Sequence, residues 1–119
     1  MSADVLNPVA IEAHIREISN RIAKSAGVCN ERYKEFLQAD GAYDHAYAVA
    51  YMAHKGPAHE KKYAAELETE EERTARDIAD AAYRYADRLA KALESELRAY
   101  QSIGASVRAQ YAVAGRGEY

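Results

Sequence analysis

Four isoleucines near the start of the chain repeat at the spacing of a helix. They lie four, three and four residues apart, which places them in a narrow line on one side of that helix: Ile11, Ile15, Ile18 and Ile22. Asn7 is a suitable cap, Pro8 is a suitable first residue, and Gly27 is placed to end the helix. The pattern predicts a first helix over about residues 8–26 that packs against one partner helix.

Aromatic residues continue the apolar pattern after Asn30, a candidate cap, and predict a second helix over about residues 30–55. The large side chains on its apolar side are Tyr33, Phe36, Leu37, Tyr43, Tyr47 and Tyr51. Gly41 is placed to break or kink this helix, and Gly56 with Pro57 is placed to end it. We therefore expect two helices before the first strong turn.

A short helix over residues 58–68 and a long helix over residues 70–113 are predicted to follow. Thr69 with Glu72 fits a capping box, and the glutamates after Thr69 favour a helix start there. The long helix has an apolar stripe whose spacing is closer to a hendecad than to a heptad: Ile78, Ala82, Tyr85, Leu89, Leu93, Leu97, Tyr100, Gly104, Val107 and Tyr111. Residues 114–119 are expected to form a flexible, frayed tail.

Composition narrows the fold class to all-α. The 119 residues suffice for a single domain, residues 1–119, with few turns because there are only 6 glycines and 2 prolines. Alanines and 10 tyrosines favour long helices with a thin core. We therefore expect an antiparallel helical hairpin or bundle with a long C-terminal helix, completed by homo-oligomerisation. Close approach of a second helix would explain a glycine inside the stripe. We call the predicted contact between copies the seam, and its residues are Tyr100, Gly104, Val107 and Tyr111.

The sequence contains no pattern typical of a catalytic or metal site. Phosphate-binding loops, nucleophile elbows and Glu-x-x-His pairs are absent. Cys29 is the single cysteine, which excludes an intrachain disulfide and favours a small apolar role. His54 and His59 flank the turn and are interpreted as exposed residues. We expect no enzymatic activity and no cofactor.

The N-terminal residues lack the basic and apolar stretches of a secretory signal. The longest apolar run, residues 46–53, is too short to cross a bilayer. We therefore expect a cytoplasmic protein without a membrane partner.

The formal net charge of −3 does not by itself indicate nucleic-acid binding, but the charges are unevenly distributed. Acidic and basic residues are interleaved over residues 73–96, and pairs four residues apart, such as Asp80 with Arg84, indicate a solvated face with ion pairs. The candidates for phosphate contacts lie outside that region: Lys61, Lys62, Arg98, Arg108 and Arg116.

Two segments carry a distant family resemblance. The alanine–tyrosine helix AYDHAYAVAYMA and the ending ALESELRAYQSIGASVRAQY, within residues 42–119, resemble small helical proteins of actinobacterial phages and prophages. The ending is also similar to that of the phage recombination mediator family (UvsY-type). That resemblance implies an all-helical ring-forming protein that binds single-stranded DNA and helps to load a recombinase. Lys61 and Lys62 are the nearest equivalents of the basic stretch in that family.

These observations give two functional hypotheses. The leading one is a phage-type accessory protein in DNA recombination or replication, which binds single-stranded DNA as an oligomer through weak sites repeated on several subunits. The alternative is a structural or adaptor protein whose helices bind only other proteins, including a phage-encoded inhibitor of a host factor. A recombinase or a host protein is the corresponding heterologous partner.

Overall fold

The computed structural model describes residues 7–117, with side chains described for residues 7–115. In chain order, its elements are α1 (Pro8–Ala53), a 3₁₀ turn (Ala58–Glu60), α2 (Lys61–Glu68) and α3 (Glu70–Gly117). The fold is an all-α helical hairpin with a long C-terminal helix, as the sequence predicts. The contacts divide the described residues into two compact units, which we call unit 1 (residues 7–27 and 88–117) and unit 2 (residues 28–87).

The helix α1 replaces the two helices that were predicted over residues 8–26 and 30–55. Asn7 caps it as predicted, since its Oδ1 accepts a hydrogen bond of 2.8 Å from the backbone N–H of Val9. The helix then runs through Gly27 and Gly41 without a break. Both glycines have negative φ, and a Cβ at either position would meet nothing within 4 Å. A glycine in a helix costs only about 1 kcal/mol relative to alanine, so it weakens the helix without ending it.

Unit 1 is an antiparallel pair of helical segments with large apolar side chains between them. The start of α1 lies beside the end of α3, since Ile11 approaches Gly104 and the ring of His14 stacks on Tyr100. The isoleucine line faces this contact, with Ile11 and Ile18 at 1% and 3% exposure. The buried or half-buried residues of α3 that meet it are Leu93, Leu97, Tyr100, Gly104 and Val107. The narrow line therefore packs against one partner helix, as predicted.

Unit 2 is built from the later part of α1, the 3₁₀ turn, α2 and the first part of α3. Its fully buried residues are small, namely Ala65, Thr69 and Ala86, while its aromatic residues are half-buried or exposed. Tyr33 contacts Tyr83 with 5.1 Å between ring centres. This unit is therefore filled by small side chains and by the edges of tyrosine rings.

Arg76 adds a polar contact to the packing of unit 2. Its guanidinium carbon lies 4.5 Å from the centre of the Tyr43 ring, and its Nη2 donates a 3.1 Å hydrogen bond to Asp77. The hydrogen bond to Asp77 raises the pKa of Arg76 above its ordinary value. The cation over the ring joins α3 to α1 within this unit.

The inward face of α3 differs from the predicted stripe in unit 2. Ile78 and Tyr85 are 65% and 68% exposed, and Leu89 at the start of unit 1 is 43% exposed. The residues that face inward follow alternating steps of four and three: Ala79, Tyr83, Ala86, Ala90 and Leu93. This is a heptad spacing, and alanines fit opposite the bulky tyrosines of α1. The predicted stripe is therefore wrong at Ile78, Tyr85 and Leu89, while its positions from Leu93 to Val107 are buried or half-buried as predicted.

The junction between α2 and α3 is tight. The predicted helix start after Thr69 is confirmed, since α3 begins at Glu70 and the backbone N–H of Arg73 donates to the Thr69 carbonyl at 3.0 Å. The predicted capping box with Glu72 is wrong, because the backbone N–H of Thr69 donates to the Ala65 carbonyl and not to Glu72. The hydroxyl of Thr69 donates a 2.7 Å hydrogen bond to the carbonyl of Ala65, so this polar side chain, 1% exposed, has its partner in α2. A single residue thus joins the two helices.

The end of α3 also extends further than predicted. The helix continues through Gly117, four residues past the predicted end at residue 113, so the predicted tail is helical up to that point. Glu118 and Tyr119 lie outside the described residues.

Candidate functional site

Lys61 and Lys62 open α2, in unit 2, and have different environments. The Nζ of Lys61 lies 5.7 Å from the centre of the Tyr51 ring, and this side chain is half-buried. Lys62 is exposed and forms no ion pair within residues 7–115. Lys61 therefore helps to hold α2 against α1, while Lys62 is open to an external anion.

The candidate arginines belong to unit 1. The Nη2 of Arg98 donates a 3.2 Å hydrogen bond to the hydroxyl of Ser95. The Nη1 of Arg108 lies 3.5 Å from the position that a Cβ of Gly104 would occupy. Arg116 is part of α3, but its side chain lies outside the described set. The five basic candidates are thus distributed over two units and do not form one patch within either of them.

The seam predicted between copies is mostly a contact within unit 1. A Cβ at Gly104 would lie 3.3 Å from Cγ2 of Ile11 and 4.0 Å from Cδ1 of Ile15, so the close helix approach is real. Its partner is α1 of the same chain. Val107 is buried, and Tyr100 is half-buried and stacks on His14 with 5.3 Å between ring centres. Tyr111 differs, because it is 59% exposed.

Unit 2 exposes large apolar side chains on all three of its helices. More than half of the surface of each of these residues is accessible: Val49, Met52, Tyr63, Leu67, Ile78 and Tyr85. Sequence reasoning missed Val49, Met52 and Leu67 as surface residues. Their spacing could have indicated exposure for two of them, since Val49 and Met52 are three residues apart and lie off the tyrosine side of α1.

A groove of about 550 Å³ in unit 2 is lined by α1, α2 and the start of α3. Its apolar lining consists of Ala46, Val49, Ala50, Ala53 and Ala64. Its polar lining consists of His45, His54, Glu68, Thr69 and Glu72. Since Thr69 is satisfied by Ala65, the two carboxylates are the groove's remaining strong acceptors. The groove suits an apolar or aromatic group that also carries a positive charge.

The histidines and Cys29 do not form a site. His54 Nε2 lies 3.4 Å from Oε1 of Glu60 across the turn, rather than meeting His59, and His59 is exposed. Cys29 is half-buried in α1. Within residues 7–117, no three His, Cys, Asp or Glu side chains are placed to hold a metal ion.

Surface ion pairs follow the predicted pattern where the structure gives them. Asp80 accepts hydrogen bonds from Nε of Arg84 at 3.0 and 3.1 Å, four residues along α3. Such exposed pairs stabilise a helix by about 0.3–0.5 kcal/mol each. The predicted pair of Asp80 with Arg84 is therefore confirmed, whereas Arg76 of the same stretch packs over Tyr43.

Comparison with known protein families, with curated proteins and with solved structures finds no match to this chain. None of the described helices has an apolar stretch that could traverse a bilayer. The geometry above is therefore the basis for a functional proposal.

Proposed function

We propose that this chain is a non-catalytic structural protein that self-associates through the exposed apolar surface of unit 2. One observation supports this proposal above all others. Unit 2 buries only Ala65, Thr69 and Ala86 among its described residues, yet leaves six large apolar side chains more than half exposed. Its fully buried residues are thus small, while six of its large apolar side chains are mostly exposed.

Covering that surface is energetically favourable. Burying one exposed side chain of this size contributes about 1.5–3 kcal/mol of gross free energy. Contiguous exposed apolar groups on a small protein are typical of interaction surfaces. Val49 and Met52 lie on one face of α1, next to Ala48 and His45, and border the same shallow hollow. A second copy of the chain carries the same exposed apolar side chains, so it can cover this surface.

Light scattering over a range of protein concentrations tests this function. We expect a mass larger than that of one 13.2 kDa chain, decreasing on dilution. Val49→Glu should shift the equilibrium towards the single chain, because it places a charge in the apolar surface. Gln38→Glu is the matched control, since it adds the same charge at an exposed position of α1 in unit 2. A single-chain mass at up to about 1 mM, where even a 4 kcal/mol interaction is populated, would contradict the proposal.

Single-stranded DNA binding stays a prediction, and one contact favours it as a second candidate. Lys61 lies over the ring of Tyr51, with Lys62 and Tyr63 exposed beside it in α2, so basic and aromatic groups alternate there. Proteins that bind single strands combine such groups to hold phosphates and stack bases. The partner recombinase that the family resemblance implies also remains a prediction.

Fluorescence anisotropy of a labelled single-stranded oligonucleotide separates this candidate from the first. A DNA-binding protein should lose affinity steeply as salt is added, and Lys62→Ala should weaken binding. Lys55→Ala is the control, because it removes an equally exposed lysine outside α2. If the anisotropy does not change at low salt, the hypothesis of single-stranded DNA binding is wrong.

A further inference from the structure

The groove of unit 2 carries two carboxylates that no described residue neutralises. Glu68 and Glu72 both line it, and neither forms an ion pair within residues 7–115. Glu66 and Glu71 are neighbours in sequence, whereas Glu70 forms an ion pair with Arg73 at 4.0 Å. The lining from α1 is mainly apolar, with Val49, Ala50 and Ala53, and it also includes His45. An occupant of this groove must be apolar on one side and cationic on the other.

The C-terminal part of α3 has this chemistry. Residues 97–117 contain Arg98, Arg108 and Arg116 and no acidic residue. Arg108 forms no ion pair with a described residue, and Tyr111 is 59% exposed. These two residues are three apart in a helix and therefore project from the same face. A cation and an aromatic ring thus lie side by side on a helix that is otherwise rich in alanine.

We propose that the groove of one copy binds the C-terminal part of α3 of a second copy. Tyr111 lies against Val49, Ala50 and Ala53, and Arg108 pairs with Glu68 and Glu72. The small side chains of the groove let a helix approach closely enough for both contacts. This inference rests on the proposed self-association, and it specifies the surfaces that meet.

The two surfaces differ, so the contact is heterologous. Each copy offers one groove and one C-terminal segment, so repetition of the contact produces either a closed ring, the smallest being a dimer with two reciprocal contacts, or an open chain. The interaction includes unpaired charges on both sides, which adds a dependence on salt.

Two variants that each remove one surface test this arrangement. Glu72→Arg alters the groove and keeps the C-terminal segment, and Tyr111→Ser alters the segment and keeps the groove. We expect each variant alone to associate at least about tenfold more weakly than the unmodified chain. An equimolar mixture should form a dimer of one copy of each variant and nothing larger, because only one matched pair of surfaces remains. Mass by light scattering measures all three samples.

The mixture also controls for folding, since each variant must present its unchanged surface to form the dimer. Glu96→Arg and Gln110→Ser are the matched controls, because they make the same chemical changes at exposed positions of α3 outside the two contact residues. Both should assemble like the unmodified chain. Added salt should weaken assembly of the unmodified chain several-fold.

The outcomes separate this inference from the proposed function. If the unmodified chain assembles and both variants assemble equally well, the groove and the C-terminal segment are not the contact, and self-association through another part of unit 2 stands. If only Glu72→Arg loses assembly, the occupant of the groove is a different surface and this inference is overturned. If the unmodified chain is a single chain at every concentration, the proposed function fails first.

Discussion

Both units contain segments of α1 and α3, and unit 2 also contains the 3₁₀ turn and α2, but their interiors differ. Unit 1 places Ile11, Ile18, Leu93 and Val107 between its segments, all at 5% exposure or less. Unit 2 places Ala65 and Ala86 there, with one threonine, and leaves Met52 and Leu67 more than 70% exposed. The difference lies partly in α2, which supplies Ala65 and leads into Thr69, and partly in which large side chains of α1 and α3 are buried.

The two units therefore differ in the interactions that stabilise them. Burial of branched apolar side chains stabilises unit 1 from within, because each contributes several times the free energy of a buried alanine. Unit 2 is held by ring contacts, by Arg76 over Tyr43 and by the Thr69 hydrogen bond, and its apolar surface is available to a partner. Unit 1 also exposes Val9, Tyr111 and Val113, so the two units differ mainly in the size of the side chains that they bury.

The largest effect on this comparison is expected from removing one leucine in each unit. Leu93→Ala should lower the free energy of unfolding by about 2–5 kcal/mol, because the side chain is 4% exposed and leaves a cavity. Leu67→Ala should lower it by less than about 1 kcal/mol, because that side chain is 71% exposed. Denaturant titration of both variants, at a concentration where the chain is single, measures the difference. Equal losses would mean that the interiors do not differ.

A glycine-to-leucine change in each unit should give a smaller contrast. Gly104→Leu is expected to cost about 1–3 kcal/mol, since Ile11 already lies 3.3 Å from the position of a Cβ there. Gly41→Leu should leave stability unchanged or raise it by about 0.5–1 kcal/mol, because its surroundings are open and leucine favours a helix. Thermal melts followed by circular dichroism compare the two. Tolerance of leucine at Gly104 would show that the helices of unit 1 are not in close contact.

The smallest effect is expected from the ion pair between Asp80 and Arg84 in unit 2. A double-mutant cycle with Asp80→Asn and Arg84→Gln should give a coupling of about 0.5 kcal/mol or less, since Arg84 is largely exposed. The midpoints of denaturant titrations give this coupling. A coupling above about 1.5 kcal/mol would mean that surface ion pairs compensate for the small core of unit 2. In that case the surface ion pairs would stabilise unit 2 without any contact between copies through its exposed apolar side chains.

Much of the fold follows from the sequence. The helix cap at Asn7, the isoleucine line, the turn near Gly56 and the start of α3 at Glu70 are all set by local chemistry, and local chemistry is visible in a sequence. The continuity of α1 is not visible in the sequence, because a glycine weakens a helix only slightly and the contacts of the rest of the helix outweigh that loss. The predicted helix end at Gly27 and the predicted break at Gly41 are therefore wrong.

The candidate site is harder to predict because it depends on which face of α3 turns inward. Ile78 and Tyr85 fit a helical stripe as well as Ala79 and Tyr83 do, and only the tyrosines of α1 favour the smaller set. The same ambiguity explains why Gly104 was expected at a contact between copies. Its neighbour proved to be Ile11, far away in sequence. Local spacing identifies a close helix contact but not the chain that provides it.

The separation in sequence of contacting residues has a consequence for how the chain folds. In unit 2, Lys61 meets Tyr51 across a single turn, so closing that contact costs little chain entropy. In unit 1, Ile11 meets Gly104 and the intervening chain is nearly the whole protein. Short-range contacts form first and long-range ones later. The hairpin is therefore expected to close from its turn towards its termini, so that the part with the weakest interior nucleates folding and the part with the strongest interior completes it.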